Sequence, residues 1–202
     1  MKSAIMGEVT RLKKELYLTA AAKYFDETGY KDFKITDLAK ELETSVGTIY
    51  NMFGSKEELY VEYLILKLER FLKNLNEHET PDPRENLKLY LQYKYEIFLR
   101  IDQHRNQPIT NDPYFFHKLD VSNHAVVGNI YDFLVRQFKL LLPMEHANHM
   151  HIAILFKKFS DGFIESYLYH EFETGGIIEE TIEWFFNGVG KHGSLRANTI
   201  GN

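Results

Sequence analysis

The chain has 202 residues, of which 44% are hydrophobic and 26% charged, enough to bury a core without covalent staples. It has no cysteine, which excludes disulfides and thiolate chemistry, and no apolar run approaches the roughly 20 residues that cross a bilayer. A net charge of −5 excludes a nonspecific nucleic-acid coat, but not a reader of specific DNA, for which only the docking face must be positive.

Five prolines set far apart leave long uninterrupted stretches. Apolar residues recur at three and four rather than at two, so the chain reads as all-α. The N-terminus is polar and lacks the apolar segment of a signal peptide, so a cytoplasmic protein is expected. The first helix is expected over 8–28, where Tyr17, Ala21, Tyr24 and Phe25 form one stripe and Gly29 supplies a left-handed C-terminal cap. Two short helices follow over 35–42 and 46–53. A fourth starts at Ser55, with Ser55 and Glu58 as a capping box, and runs unbroken to about 77. Thr80-Pro81-Asp82-Pro83 is a break. Helices are then expected over 84–102, 122–142, 146–172 and 178–189, with an irregular segment over 108–119 and a polar, disordered tail over 191–202.

The short pair carries the functional signal. Ile35, Leu38, Ala39 and Leu42 lie at i, i+3, i+4, i+7, and Val46, Ile49, Tyr50 and Phe53 repeat that spacing. Two eight-residue helices joined by three residues bury both stripes only by crossing steeply, as in a helix-turn-helix. Ser45 is placed to cap the second helix, whose first amides then face a phosphate. Its outward residues, Ser45, Val46, Gly47, Thr48, Asn51 and Met52, are short enough for the backbone to sit deep in a major groove.

Leu38-Ala39-Lys40-Glu41, the run Ser45, Gly47, Thr48, Ile49, Tyr50 and Phe53, and Ser55-Lys56-Glu57-Glu58-Leu59 resemble the DNA-binding domain of TetR/AcrR-family repressors. Ala21, Tyr24, Phe25, Gly29 and Tyr30 resemble that family's first helix, so the likeness covers roughly 11–60. It implies a three-helix DNA-binding domain over 1–54, joined by a continuous fourth helix to a ligand-binding and dimerisation bundle over 55–190. It implies that Ser45, Val46, Gly47, Thr48 and Asn51 approach base edges and that Tyr50 and Lys56 contact phosphates. Thr44 at the turn and Lys34 are counted with them. A lysine in the first turn of a helix also opposes the macrodipole, so Lys56 calls for an anionic partner. Tyr50 is expected to be a buried ring whose hydroxyl reaches the DNA backbone. Three residues depart from the family pattern. Lys34 stands where a capping threonine is usual, Glu43 replaces a turn glycine, and Val46 replaces a polar base reader. Readout is then expected to lean on thymine methyls and DNA shape, at an A/T-containing palindrome.

In the C-terminal part, Leu87, Leu91, Tyr95 and Phe98 form one apolar face of the 84–102 helix. Tyr90, Ile97 and Ile101 form another, with Lys94 between. Such a helix sits centrally in a bundle. The aromatics are core, or line a cavity for a small apolar or aromatic effector. The candidate lining is Tyr90, Lys94, Phe98, Phe116, His117, Ile130 and Phe133, with Asn129 a further polar anchor. The last two helices have two apolar faces each, one for a twin subunit. Phe159, Phe163, Tyr167, Trp184 and Phe185 are the candidate interface, Gly162 allows close approach, and the resemblance implies a four-helix contact. His146, His149 and His151 cluster but do not complete a metal site. No phosphate loop, nucleophile elbow or HExxH pattern is present, so no enzyme and no cofactor are expected. The expected function is that of a bacterial, homodimeric transcription repressor that releases double-stranded operator DNA on binding a small molecule. The alternative is a helical scaffold that binds protein without DNA.

Overall fold

The computed structural model describes residues 2–102, 124–143, 146–170 and 175–187. Phe116, His117, the segment 108–119 and the tail 191–202 lie outside them. The described residues form eight α-helices and no strand: α1 (Lys2–Asp32), α2 (Ile35–Glu41), α3 (Val46–Phe53), α4 (Lys56–Glu77), α5 (Pro83–Asp102), α6 (Ala125–Leu141), α7 (His149–His170) and α8 (Ile177–Asn187). No helix among them is long and apolar enough to cross a membrane. The chain divides into two compact units, Met1–Lys73 with Leu99–Gly128 and Asn74–Phe98 with Asn129–Asn202. One division falls inside α4.

The first unit closes around α1. Tyr17, Ala21, Ala22 and Phe25 of that helix meet Leu38 and Ala39 of α2, Ile49 and Phe53 of α3, and Leu59, Tyr60, Tyr63 and Leu64 of α4. Phe25 is the hub. It stacks on Phe33 with centroids 4.0 Å apart and meets Tyr60 at 4.9 Å and Tyr63 at 5.1 Å. Truncating a ring buried in this way costs about 3–5 kcal/mol. The cluster has a polar rim, where the Tyr63 hydroxyl donates to Asp26 at 2.6 Å and Lys67 pairs with the same carboxylate at 2.7 Å.

α1 is longer than its apolar stripe requires. It starts well before residue 8 and is helical on both sides of a kink at Gly29, where φ 73° and ψ 174° admit only glycine. The cap expected at Gly29 is therefore a bend, after which Phe33 N–H still bonds the Gly29 carbonyl at 3.2 Å.

In the second unit, Asp82 Oδ1 accepts the Arg84 amide at 2.8 Å and Pro83 fills the first position of α5, where its missing donor costs nothing. Leu87, Tyr90, Leu91 and Tyr95 of α5 are buried, as are Ile130, Phe133, Leu134 and Phe138 of α6. From α7 and α8 come Ala153, Phe156, Phe163, Ile164, Ile177 and Ile182. Buried polar groups are matched in pairs: Asn86 donates to Gln137 at 2.9 Å, and Gln137 donates to Glu79 at 2.8 Å.

Candidate nucleic-acid interface

α2, its turn and α3 form the expected helix-turn-helix. The turn is a complete Schellman motif. Thr44 N–H bonds the Ala39 carbonyl at 2.9 Å and Glu43 N–H bonds the Lys40 carbonyl at 3.2 Å. The motif needs a left-handed residue after the helix, and Glu43 fills it with φ 48°. Glu43 is the non-glycine residue with positive φ in the described chain, and a Cβ there meets the steric cost that makes glycine usual.

Ser45 caps α3. Its Oγ accepts the Thr48 amide at 3.1 Å and lies 2.9 Å from the Thr48 hydroxyl. Gly47 is exposed in the first turn, and a Cβ built on it would meet nothing nearer than Ser45 Oγ at 3.7 Å. The fold does not require this glycine. Asn51 is exposed one turn further on, and Thr44 and Thr48 are half-buried. Lys34 is exposed at the N-cap of α2 and makes no side-chain cap bond, so the amides of that helix lack the oxygen that threonine would supply. Lys34, Ser45, Gly47 and Asn51 are thus solvent-accessible on the short helices and their caps.

Three residues stand differently from their expected places. Tyr50 is 43% exposed, so its ring is not core. Ile49 and Phe53 are the buried residues of α3, while Met52, expected to face outward, packs half-buried against the same cluster; Val46, which the spacing put both in the buried stripe and in the outward set, is half-buried. Ile49 and Phe53, four residues apart, set the face that α3 buries, and Tyr50 falls to one side of it. Lys56 Nζ is engaged inside the protein, by backbone carbonyls and a ring face. Nζ donates to the Phe33 carbonyl at 2.8 Å, reaches the Lys31 carbonyl at 3.5 Å, and sits 4.5 Å from the Tyr30 centroid. The negative end of α1 thus answers the charge that opposes the dipole of α4. Desolvation lowers the Lys56 pKa against the pull of Glu57 and Asp32. Glu57 in turn accepts the Tyr30 hydroxyl at 2.6 Å, which holds that carboxyl below its ordinary range.

In the second unit, the sequence reading missed a buried polar network. Lys94 Nζ pairs with Asp161 at 2.7 Å, donates to Ser160 Oγ at 2.5 Å and to the Lys157 carbonyl at 3.2 Å. Desolvation brings Lys94 down to about 8 despite Asp161. Burial also opposes ionised Asp161, but Lys94 and Lys157 outweigh it and keep that pKa low. Tyr95 extends the network, its hydroxyl 2.9 Å from that of Thr181. Lys157 and Asp161 four residues apart, within the apolar run from Ile152 to Ile164, were the available signal.

Of the candidate effector residues, Tyr90 and Lys94 come together, with Nζ 5.7 Å from the ring centroid. Ile130 and Phe133 are buried on α6. The Phe98 side chain, like Phe116 and His117, is outside the described residues. The five candidate dimer residues do converge. Phe163 meets Phe159 at 5.6 Å, Tyr167 at 5.5 Å and Trp184 at 5.1 Å, and Phe159 meets Phe185 at 5.6 Å. Within the protomer Phe163 is already buried, and Phe159, Tyr167, Trp184 and Phe185 are half-buried. His149 Nε2 lies 2.8 Å from the Leu142 carbonyl, and no group of three metal-ligating side chains occurs among the described residues.

Residues 18–63 match the family described as bacterial regulatory proteins, tetR family. The likeness to that family lies in the helix-turn-helix unit, from α1 into α4. A curated relative, the uncharacterized HTH-type transcriptional regulator YhgD of Bacillus subtilis (strain 168), is 36% identical over 69 residues. That stretch is 34% of this chain and 36% of the relative, so the likeness in sequence spans about a third of each. Solved structures carry the fold further. FadR from Bacillus subtilis, a transcriptional regulator crystallised with stearoyl-CoA, aligns with a TM-score of 0.62 at 15% identity over 86% of this chain and 97% of that one. A TetR transcription regulator from Haloarcula marismortui aligns at 0.59 and 18% identity, over 88% and 96%. At such identity the likeness is one of fold: a helix-turn-helix unit followed by a helical domain.

Proposed function

We propose that this chain is a homodimeric repressor of the TetR family that reads palindromic operator DNA through the N-terminal turn of α3 and lets go when a small apolar or aromatic effector enters the C-terminal domain expected over 55–190. The observation that carries the reading is the exposed end of α3, where Ser45 caps the helix and Gly47 offers bare backbone. Such an end admits a phosphate to the helix amides and brings the backbone against base edges. In this reading Ser45, Val46, Gly47, Thr48 and Asn51 lie toward the bases, with Thr44 at the turn. Lys34 and Tyr50 lie toward phosphates, and Lys56 acts from its seat on the end of α1. Twofold pairing through α7 and α8 sets two such heads about 34–36 Å apart, one helical turn of DNA. The α4 helix is the covalent link along which an effector can bias the heads, and it does so only to the extent that the effector binds the two states differently.

Selection of bound duplexes from a randomised library, followed by gel-shift titration, tests the reading. The expected outcome is a palindrome with half-sites one turn apart, bound with a steep salt dependence. Equal binding of the selected and scrambled duplexes overturns it. Effector release is read in the same assay with a panel of apolar and aromatic ligands, with a long-chain acyl-CoA added as an amphipathic one. A complex that no ligand dissociates removes the inducible part and leaves the DNA reader standing.

A further inference from the structure

The first turns of α1 carry an apolar face that the first unit does not use. Ile5, Val9, Leu12 and Leu16 are between 51% and 61% exposed. Their spacing of four, three and four is that of the d, a, d, a seam of a heptad repeat. The core stripe of the same helix, Tyr17, Ala21 and Phe25, begins only after this seam and lies on the opposite side of the helix at 100° per residue. The seam is therefore a second face, and its flanking charges identify what fits it. In this register Glu8 and Glu15 fall at g, and Met6 and Lys13 at e. Arg11 bonds Glu8 at 2.6 Å and Glu15 at 2.5 Å, which holds the two acids along one edge of the seam. In a parallel pair Glu8 of one helix meets Lys13 of its mate. In an antiparallel pair Glu8 meets Glu15.

We infer that the N-terminal face of α1 is a parallel self-association seam, whose partner is the same face of a second copy of this chain. The inference is independent of DNA binding. With only two heptads the seam pairs weakly by itself and acts on chains already brought near one another.

The absence of cysteine gives a direct test in the full-length protein. A single Leu12→Cys places a thiol at d, where like residues of a parallel pair face each other within disulfide reach. Thr10→Cys, exposed on another side of the same helix, is the control. Under mild oxidation the Leu12→Cys chain is expected to form covalent dimers at least about tenfold faster than the control. Adding Glu8→Lys removes that advantage, and Glu8→Lys with Lys13→Glu restores it. Circular dichroism checks that each variant keeps its helix content. Equal cross-linking of the two single variants overturns the proposal. So does cross-linking confined to mixtures of Val9→Cys and Leu12→Cys chains, which reports an antiparallel pair.

Discussion

Gly47→Ala separates what the fold needs from what a docked duplex needs, because the two respond with opposite signs. In the free protein the added methyl meets only Ser45 Oγ, at the ordinary contact distance of 3.7 Å, so no atom has to move. Alanine also relieves the entropic cost of a helical glycine, about 0.5–1 kcal/mol, less near a helix end. In a chain of this size 1 kcal/mol moves Tm by about 2–4 °C, so a rise of about 1–4 °C is expected by calorimetry. If α3 lies with its first turn against base edges, the same methyl keeps the backbone from its contacts. The loss is then that of one good base contact, about 1–3 kcal/mol, or roughly 5- to 150-fold in Kd by gel shift. Gly128→Ala is the control. It is an exposed helical glycine with equally open space, so it gains stability with no change in DNA affinity. A Gly47→Ala protein that binds the selected duplex as tightly as the parent refutes close approach at this turn. A protein that loses stability refutes the claim that the glycine is free of a folding role.

Three further outcomes follow from the same geometry. Glu43→Gly relieves the left-handed strain of about 1–2 kcal/mol and gives back about 0.5–1 in chain entropy, for a net gain of roughly 0.5–1 kcal/mol in denaturant unfolding. Glu43→Gln leaves stability unchanged, and, if α3 reads DNA as proposed, both variants tighten binding by removing a negative charge beside it. Lys34→Thr supplies the missing cap and adds about 1 kcal/mol of stability, while the slope of log K against log salt falls by about 1 if Lys34 meets a phosphate. For Lys94 the sign is set by a folded pKa of about 8 below its ordinary 10.5. Between these values the unfolded chain holds a proton that the folded chain has lost, so stability rises with pH. Urea midpoints are expected to climb between pH 8 and 9.5 by the equivalent of about 1–2 kcal/mol, and Lys94→Met abolishes the climb. Above about pH 10 the trend reverses, because burial holds Tyr60, Tyr63 and Tyr95 protonated while the unfolded tyrosines ionise.

The helices were legible because each is bounded by chemistry that acts locally. Ser45, Ser55 and Asp82 take up the first amides of α3, α4 and α5, and their side chains could be matched to amides two or three residues on without a fold. Legibility ended where an outcome depends on distant partners. Nothing near Lys94 in sequence announces Asp161, 67 residues away, and a lysine on an apolar stripe is ordinarily read as one that reaches solvent. The sequence calls for an anionic partner for Lys56, but the acceptors it meets are carbonyls at the end of α1, which are in reach only after α1 and α4 have packed. Tyr50 was misplaced because a helix of eight residues offers too few turns for a four-residue stripe to fix its rotation; Ile49 and Phe53 alone decide it.

Lys34, Glu43 and Gly47 fall within fourteen residues, and each works against local helix or turn preference: a cap without an acceptor, a left-handed residue with a Cβ, and a helical glycine with room for a methyl. Departures of this kind concentrate where function outweighs stability, and each could be removed to the benefit of the free protein. They differ in what the complex would lose. Removing Gly47 or Lys34 takes away an approach or a cation, and binding falls. Removing Glu43 takes away repulsion, and binding rises. Two of the three therefore favour the bound state and one opposes it. If the proposed function holds, a head assembled in this way binds its operator below the tightest binding its fold could support, and a modest difference in effector affinity between the two states would be enough to empty the site. On that reasoning Glu43→Gly should need a higher effector concentration for half-release than the parent protein, in proportion to its gain in DNA affinity. A release curve that stays put while affinity rises would separate the two events and sink the linkage.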